Sequence, residues 1–345
     1  CSKFVITADG FVRKNKLIKL KEIVDKALEE KTLVEKVLLF NNKATTVKAK
    51  TKRDLWVGEA LSTMEKEEQE DLEFFPSEQP LFLLYTSGST GTPKGLLHTS
   101  AGYLLGAQLT SRYLFNLKDN DVFWCTADIG WITGHTYVVY GPLSCGSTIF
   151  LYDGAPSTPH WGRWWELIEK YQITKFYTAP TALKMFMKEG AEYPAKYNLD
   201  SLKLLGSVGE PINPKTWRWF FDVIGQKKCP ILDTWWQTET GSIMLSPFPG
   251  ISELKPGCAS LPFFGVDPKI EYEKKSTTKK GHLTLRKPWP SMARTIYHDH
   301  ERYKKEYWCP KEKHYKTSDG AYQDTDGLYW ILGRIDDVIN ISGHR

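Results

Sequence analysis

The feature that most constrains this chain is residues 85–95, YTSGSTGTPKG. The apolar run 80–84, PLFLL, leads into it, and a short apolar run ending at a turn cluster predicts a buried strand. Thr86, Ser87, Ser89, Thr90 and Thr92 are then interspersed with Gly88, Gly91 and Gly95. Glycine permits positive φ and lets an anion approach the backbone closely. Successive bare N–H groups make an anion-binding nest, to which hydroxyls add donors and Lys94 a positive charge. The implied chemistry is the holding of a polyphosphate; a flexible polar loop is the plain alternative. The stretch is not a Walker A loop, because Lys94 is followed by Gly95 rather than Ser or Thr. No G-x-G-x-x-G occurs, so nothing points to a dinucleotide site of the Rossmann type.

A chain of 345 residues can bury a large core, as one large domain or two smaller ones. The net charge of +5 suits anionic ligands such as nucleotides. Basic residues do not cluster with interleaved aromatics, so no nucleic-acid partner is expected. The six cysteines show no C-x-x-C spacing, which predicts neither a zinc site nor a disulfide framework, but reduced thiols in a cytosol-like compartment. His298-Asp299-His300 reads as surface polarity rather than metal ligands. No apolar stretch approaches the length of a membrane span, and no signal peptide is visible. The expected location is cytoplasmic, with an organelle left open.

Strand and helix patterns alternate to about residue 240. Strands are predicted at 3–8 and 34–40 with a helix at 18–30 between them, an order that points to a parallel sheet. Residues 41–53 read as a basic surface loop, and the acidic run 65–73 as a solvated helix face. Further on, the patterns predict a helix at 100–113 capped by Ser100, a strand at 121–126, a turn at 130–135 and a helix from 138. Strands at 147–152, 175–177, 202–205 and 231–232 then alternate with helices at 164–171, 180–189 and from Pro214. Motifs repeatedly follow strands, on the side of an α/β sheet where ligand crevices form. From 250 onward prolines, glycines and strands dominate, predicting a β-rich subdomain.

Two motifs join the first. Residues 206–211, GSVGEP, put small residues at a strand end, where a flat ring can lie against the backbone; an ordinary strand–turn–helix connection is the alternative. Residues 233–239, DTWWQTE, combine two indoles and an amide whose polar ends need partners when buried. Thr238 and Glu239 supply oxygen ligands of the kind that suit Mg²⁺ beside a phosphate.

Together with 121–135, 204–214, 233–241 and 333–345, the TSGSTGTPKG loop resembles the adenylate-forming superfamily, and within it the acetyl-CoA synthetases. The resemblance implies an α/β fold: a large adenylation domain of layered α/β sheets followed by a β-rich subdomain. Residues 1–335 would be the large AMP-binding domain, and 336–345 the hinge, with Asp336 at its pivot, and the start of a small C-terminal domain. An N-terminal part and nearly all of that small domain are expected to be missing.

The resemblance also assigns roles. Thr86, Lys94, Thr238, Glu239 and Arg345 would be catalytic, with Thr238 and Arg345 on phosphate and Glu239 on the metal. Gly209, Glu210 and Pro211 would hold adenine, and Asp233, Thr234, Trp235, Trp236 and Gln237 would line the adenine and acyl pocket. Asp319 and Arg334 look like the ribose pair, since a carboxylate can accept both protons of a vicinal diol. Ile132, Thr133, Val208 and Trp236 would surround the acyl group, with Thr133 and Ser342 near coenzyme A. Ser157 departs from the asparagine that relatives often carry there. The implied activity is AMP-forming ligation of acetate to coenzyme A, using ATP and Mg²⁺, with these small molecules as partners, neither nucleic acid nor membrane expected, and the oligomeric state left open. Alternatives are a propionate-type or other adenylating enzyme, or a nucleotide-binding fragment inactive without its small domain.

Overall fold

The computed structural model describes residues 2–13, 16–30, 32–47, 49, 52–63, 73–86, 93–272, 280–309 and 313–335. The chain divides into two compact units, Cys1–Phe74 and Phe75–Arg345.

The first unit contains β1 (Phe4–Ala8), the hairpin β2 (Phe11–Arg13) and β3 (Lys16–Ile18), α1 (Leu20–Ala27), β4 (Lys36–Phe40), β5 (Asp54–Trp56) and α2 (Val57–Thr63). Strands β1, β4 and β5 form a parallel sheet in that order, as the strand–helix–strand pattern predicted. The β2–β3 hairpin was not foreseen. Lys21 is fully buried, and its ammonium is paired with Asp25 at 2.6 Å and Asp54 at 2.8 Å. A buried charge survives only when paired in this way. Residues 65–72, most of the acidic run, lie outside the described residues.

The second unit opens with an antiparallel pair, β6 (Pro80–Thr86) and β7 (Lys94–Thr99). Strand β6 is not the buried strand expected. It is an edge strand, and Tyr85 is 62% exposed. Helix α3 (Ser100–Tyr113) follows, but its N-cap residue is Thr99, not Ser100. Neither hydroxyl caps the helix: Thr99 Oγ1 donates to Glu78 and Ser100 Oγ to the Ser77 carbonyl.

A five-stranded parallel sheet makes the centre of this unit. Its strands are β8 (Val122–Cys125), β9 (Thr148–Ile149), β10 (Lys175–Thr178), β11 (Leu204–Ser207) and β12 (Ile231–Asp233), in the order β12-β11-β10-β8-β9. Alternation places Phe176, Leu205 and Ile231 in one apolar cluster and Tyr177, Leu204 and Leu232 in another. A sheet buried on both faces needs apolar residues at both parities. Helices α6 (Arg163–Tyr171), α7 (Pro180–Glu189) and α8 (Pro214–Trp219) connect its strands. The predicted turn at 130–135 is instead the start of a helix: α4 (Ile132–Gly134) runs into a π-helical turn, His135–Tyr140, and α5 (Gly141–Ser144). Gly134 is a packing residue, not a breaker, since a Cβ there would lie 2.3 Å from the Asp128 carbonyl oxygen.

Beyond residue 240 the chain is β-rich, as expected. After the short pair β13 (Leu245–Ser246) and β14 (Leu261–Pro262) come β15 (Pro268–Glu271), β16 (Gly281–Leu285), β17 (Thr295–Ile296), β18 (Tyr315–Gln323) and β19 (Tyr329–Arg334). Four of these form the antiparallel sheet β15-β16-β18-β19, while β17 pairs with β7. One helix there was missed, α9 (His300–Tyr307), and the His-Asp-His run is its start: Asp299 is the N-cap and accepts from the Arg302 N–H.

Candidate active site

Strands β11 and β12 end side by side at Ser207 and Asp233, and both candidate motifs leave the sheet there. Thr234 ties them together, with Oγ1 donating to the Ser207 carbonyl at 2.8 Å. Gly209 turns with φ +94°, and a Cβ at that position would meet nothing within 4 Å. Residues 234–239 leave the sheet edge under the hold of Trp235, whose backbone N–H donates to Leu245 at 2.9 Å. A cleft of about 370 Å³ lies between these segments and the β18–β19 hairpin.

Nearly all the residues assigned to nucleotide binding line that cleft: residues 209–211 and 233–239 with Asp319 and Arg334. Gly257, Ala259, Ile331 and Gly333 complete the lining and were not singled out from the sequence. Asp319 and Arg334 are direct cross-strand neighbours on β18 and β19. Asp319 is 5% exposed, and its carboxylate accepts from the Trp235 indole at 3.0 Å and the Gln237 amide at 2.7 Å. Gln237 in turn accepts from the Tyr315 hydroxyl at 3.0 Å. The polar ends that made residues 233–239 costly to bury thus find partners. Arg334 Nη1 reaches the Thr317 carbonyl at 3.5 Å. Glu210 accepts from the Thr181 hydroxyl at the cleft's outer lip. Asp233 sits deeper, and burial pushes its carboxyl up to about 7.

At the inner end, Trp236 is held from two sides. Its ring meets Tyr137 edge to face at 5.1 Å, and its N–H points to the Tyr177 hydroxyl at 3.4 Å. Val208 belongs to the same apolar cluster. Ile132, buried, and Thr133, half-buried, lie on α4 and are not part of the cleft lining. Their helix is tied to the site through Thr136, whose hydroxyl donates to the Gly241 carbonyl at 2.9 Å.

Glu239, at the cleft wall, lies beside Lys94, which is not among the residues lining the cleft. Lys94 opens β7, buried, with Nζ 3.0 Å from Glu306 Oε2 and 3.7 Å from Glu239 Oε1. The Tyr307 hydroxyl lies between, accepting from Lys94 and donating to Glu239. Lys94 is therefore not a bare cation on a loop, as the sequence suggested, but a partnered one. Burial would raise the Glu306 carboxyl, yet bonds from Arg302 and Lys94 hold it below the usual carboxylate range. Burial and the neighbouring Glu239 charge push the Tyr307 hydroxyl far above its ordinary value, so it remains a donor. Thr86 Oγ1 is buried and has no hydrogen-bond partner among the described residues.

His98 supports Thr238 from behind. Burial lowers its pKa to about 4, so the ring is neutral, and its Nε2–H donates to the Thr238 carbonyl at 2.9 Å. His98, Glu306, Tyr307 and Tyr315 all went unnoticed in the sequence. Only the capping residue Asp299, which starts the helix carrying Glu306 and Tyr307, gave a readable signal. Residues 87–92, Asp336, Ser342 and Arg345 lie outside the described residues.

Comparison with known proteins adds a family. Residues 1–297 match the AMP-binding enzyme family. The chain is 50% identical over 348 residues to the acetyl-coenzyme A synthetase of Deinococcus radiodurans, covering 100% of this chain and 53% of that protein. It is 49% identical over 353 residues to that of Chlorobaculum tepidum, covering 100% of this chain and 52% of the relative. Against acetyl-coenzyme A synthetase 2 of Pseudomonas aeruginosa the identity is 50% over 344 residues, covering 99% and 53%. The chain spans about half the length of the curated relatives it matches. The match over residues 1–297 is most of the sequence, and the chain belongs to the AMP-binding enzyme family.

Proposed function

We propose that the chain carries the adenylating site of an AMP-forming acetate:CoA ligase. The observation that supports this reading most is the single cleft in which the small residues at 209–211, the 233–239 segment and the Asp319–Arg334 pair converge. A flat base can lie against Gly209, and a ribose diol can donate to Asp319. The phosphates then extend toward Thr238, Glu239 and Lys94. Acetate would enter beside Trp236, with Val208 and the α4 residues Ile132 and Thr133 around it.

In the proposed reaction a carboxylate oxygen of acetate attacks the α-phosphorus of ATP in line and displaces pyrophosphate. The thiol of coenzyme A, near Thr133 and Ser342, then attacks the acetyl carbon of the acetyl-adenylate, the acyl–phosphate bond breaks with release of AMP, and the thiol proton passes to solvent. Such transfers need positioning and charge neutralisation more than covalent help from the protein. Lys94, with Arg345 as the second cation, offsets charge on the phosphates, and Thr86 and Thr238 donate to phosphate oxygens. Thr86 fits because its buried hydroxyl has no partner among the described residues. Glu239 fits a Mg²⁺ site: it is a carboxylate at the cleft wall, and this ion takes one or two carboxylates plus substrate phosphates. When bound, Mg²⁺ would supply neutralisation of phosphate charge. Residues 1–335 form the large AMP-binding part and 336–345 the hinge to a small domain.

Calorimetry with a non-hydrolysable acetyl-adenylate analogue tests the reading. Saturable binding that competes with ATP is expected. No binding by the full-length protein would refute it.

A further inference from the structure

The nucleotide reading gives Lys94 a phosphate to bind, yet its ammonium is already engaged. Glu306 Oε2 lies 3.0 Å away, and the contact is partly shielded, with the Lys94 side chain 10% exposed and that of Glu306 26%. Glu306 comes from α9, 212 residues further along the chain, so this is a tertiary contact and not a local one. A carboxylate oxygen at hydrogen-bond distance from an ammonium makes a charge-assisted bond of the kind a phosphate oxygen would make there.

We propose that Glu306 occupies on Lys94 the position an incoming polyphosphate takes, and so sets the affinity of the site for that part of the ligand. The proposal rests on the nucleotide reading of the cleft.

The neighbourhood suits such an exchange. Glu306 has a second cation, since Arg302 Nε donates to its other oxygen, Oε1, at 2.7 Å. When Lys94 turns to a phosphate, Glu306 keeps this bond, so its charge is not stranded. Stranding a buried charge is the usual penalty for breaking such a pair. Lys94 also keeps the Tyr307 hydroxyl, which accepts from it and donates to Glu239. Thus the cation stays aligned with the carboxylate proposed for the metal while its anionic partner changes. The arrangement disfavours weak single anions on Lys94 and yields to a polyphosphate that is also held elsewhere in the cleft.

The test uses two ligands that share no part: pyrophosphate, which lacks the nucleoside, and AMP, which lacks the β- and γ-phosphates. Each is titrated calorimetrically into the full-length protein and into Glu306→Gln. The amide keeps the shape and removes the charge. Pyrophosphate should bind the variant about fivefold or more tighter, as expected when a competing charge is removed, while AMP stays within about twofold. Glu306→Asp, which shortens the carboxylate but keeps Arg302 in range, should fall between. Unchanged AMP binding shows that each variant is folded. Pyrophosphate affinity that is unchanged or weakened in Glu306→Gln, with AMP binding intact, overturns the proposal. Failure of AMP to bind the unaltered protein overturns the nucleotide reading itself.

Discussion

The Trp235 indole donates to the Asp319 carboxylate at 3.0 Å, so the aromatic wall of the cleft and its buried acid are one hydrogen-bonded unit. Gln237 donates to the same oxygen at 2.7 Å. Replacing Asp319 by Ala therefore removes the proposed ribose contact, leaves the buried Trp235 N–H without its acceptor, and leaves the Gln237 amide with only the Thr317 carbonyl, at 2.6 Å. The expected loss is roughly 1–3 kcal/mol in binding of an acyl-adenylate analogue, with a drop in unfolding free energy of similar size. Calorimetry and urea titration measure the two. Unchanged affinity would remove Asp319 from the site.

Asp233 gives a pH dependence. Burial alone raises its pKa to about 7. The folded value thus exceeds the unfolded one. The stability it contributes is fully present below the unfolded pKa, near pH 4, and is lost as pH rises through about 7. The loss over that window is on the order of 4 kcal/mol. Asp233→Asn should abolish this slope. Denaturant midpoints of the two proteins at several pH values decide the matter, and parallel profiles would show that Asp233 titrates as an ordinary carboxyl.

Tyr307 donates to the carboxylate of Glu239, the residue proposed above to hold Mg²⁺, and residues that orient a metal ligand matter nearly as much as the ligand. Tyr307→Phe should raise the Mg²⁺ concentration for half-maximal ATP binding by about tenfold, while AMP affinity in the absence of metal stays within about twofold. A Mg²⁺ midpoint equal to that of the unaltered protein would show that Tyr307 does not position Glu239.

These last residues mark the limit of what the sequence reveals. The parallel sheet was legible because β10, β11 and β12 are short apolar runs ended by turn residues. The two motifs that follow β11 and β12 line the cleft because topology sends both chain ends to one edge. Glu306 and Tyr307 were not legible. Their helix is strongly polar, and their importance comes from Lys94 more than 200 residues away. His98 was hidden for the same reason: nothing local shows that its ring faces the Thr238 carbonyl. Strand β6 misled because an apolar run reads the same at a sheet edge as at its centre. The stretch 130–135 misled because its Gly134, which admits a neighbouring carbonyl, looks like a glycine that ends a turn.

Trp236 carries the claim that the acid is small. Tyr137 at 5.1 Å and the Tyr177 hydroxyl at 3.4 Å fix the indole, so the wall it makes is rigid. An added methylene against a rigid wall costs roughly 1–3 kcal/mol. The deciding measurement is ATP–pyrophosphate exchange by the full-length protein with acetate, propionate and butyrate, repeated for Trp236→Gly. Acetate should exceed butyrate by at least about tenfold with propionate between, and the variant should accept butyrate while losing acetate activity. Exchange that needs no acid of this size, or an acid preference untouched by Trp236→Gly, would contradict the account.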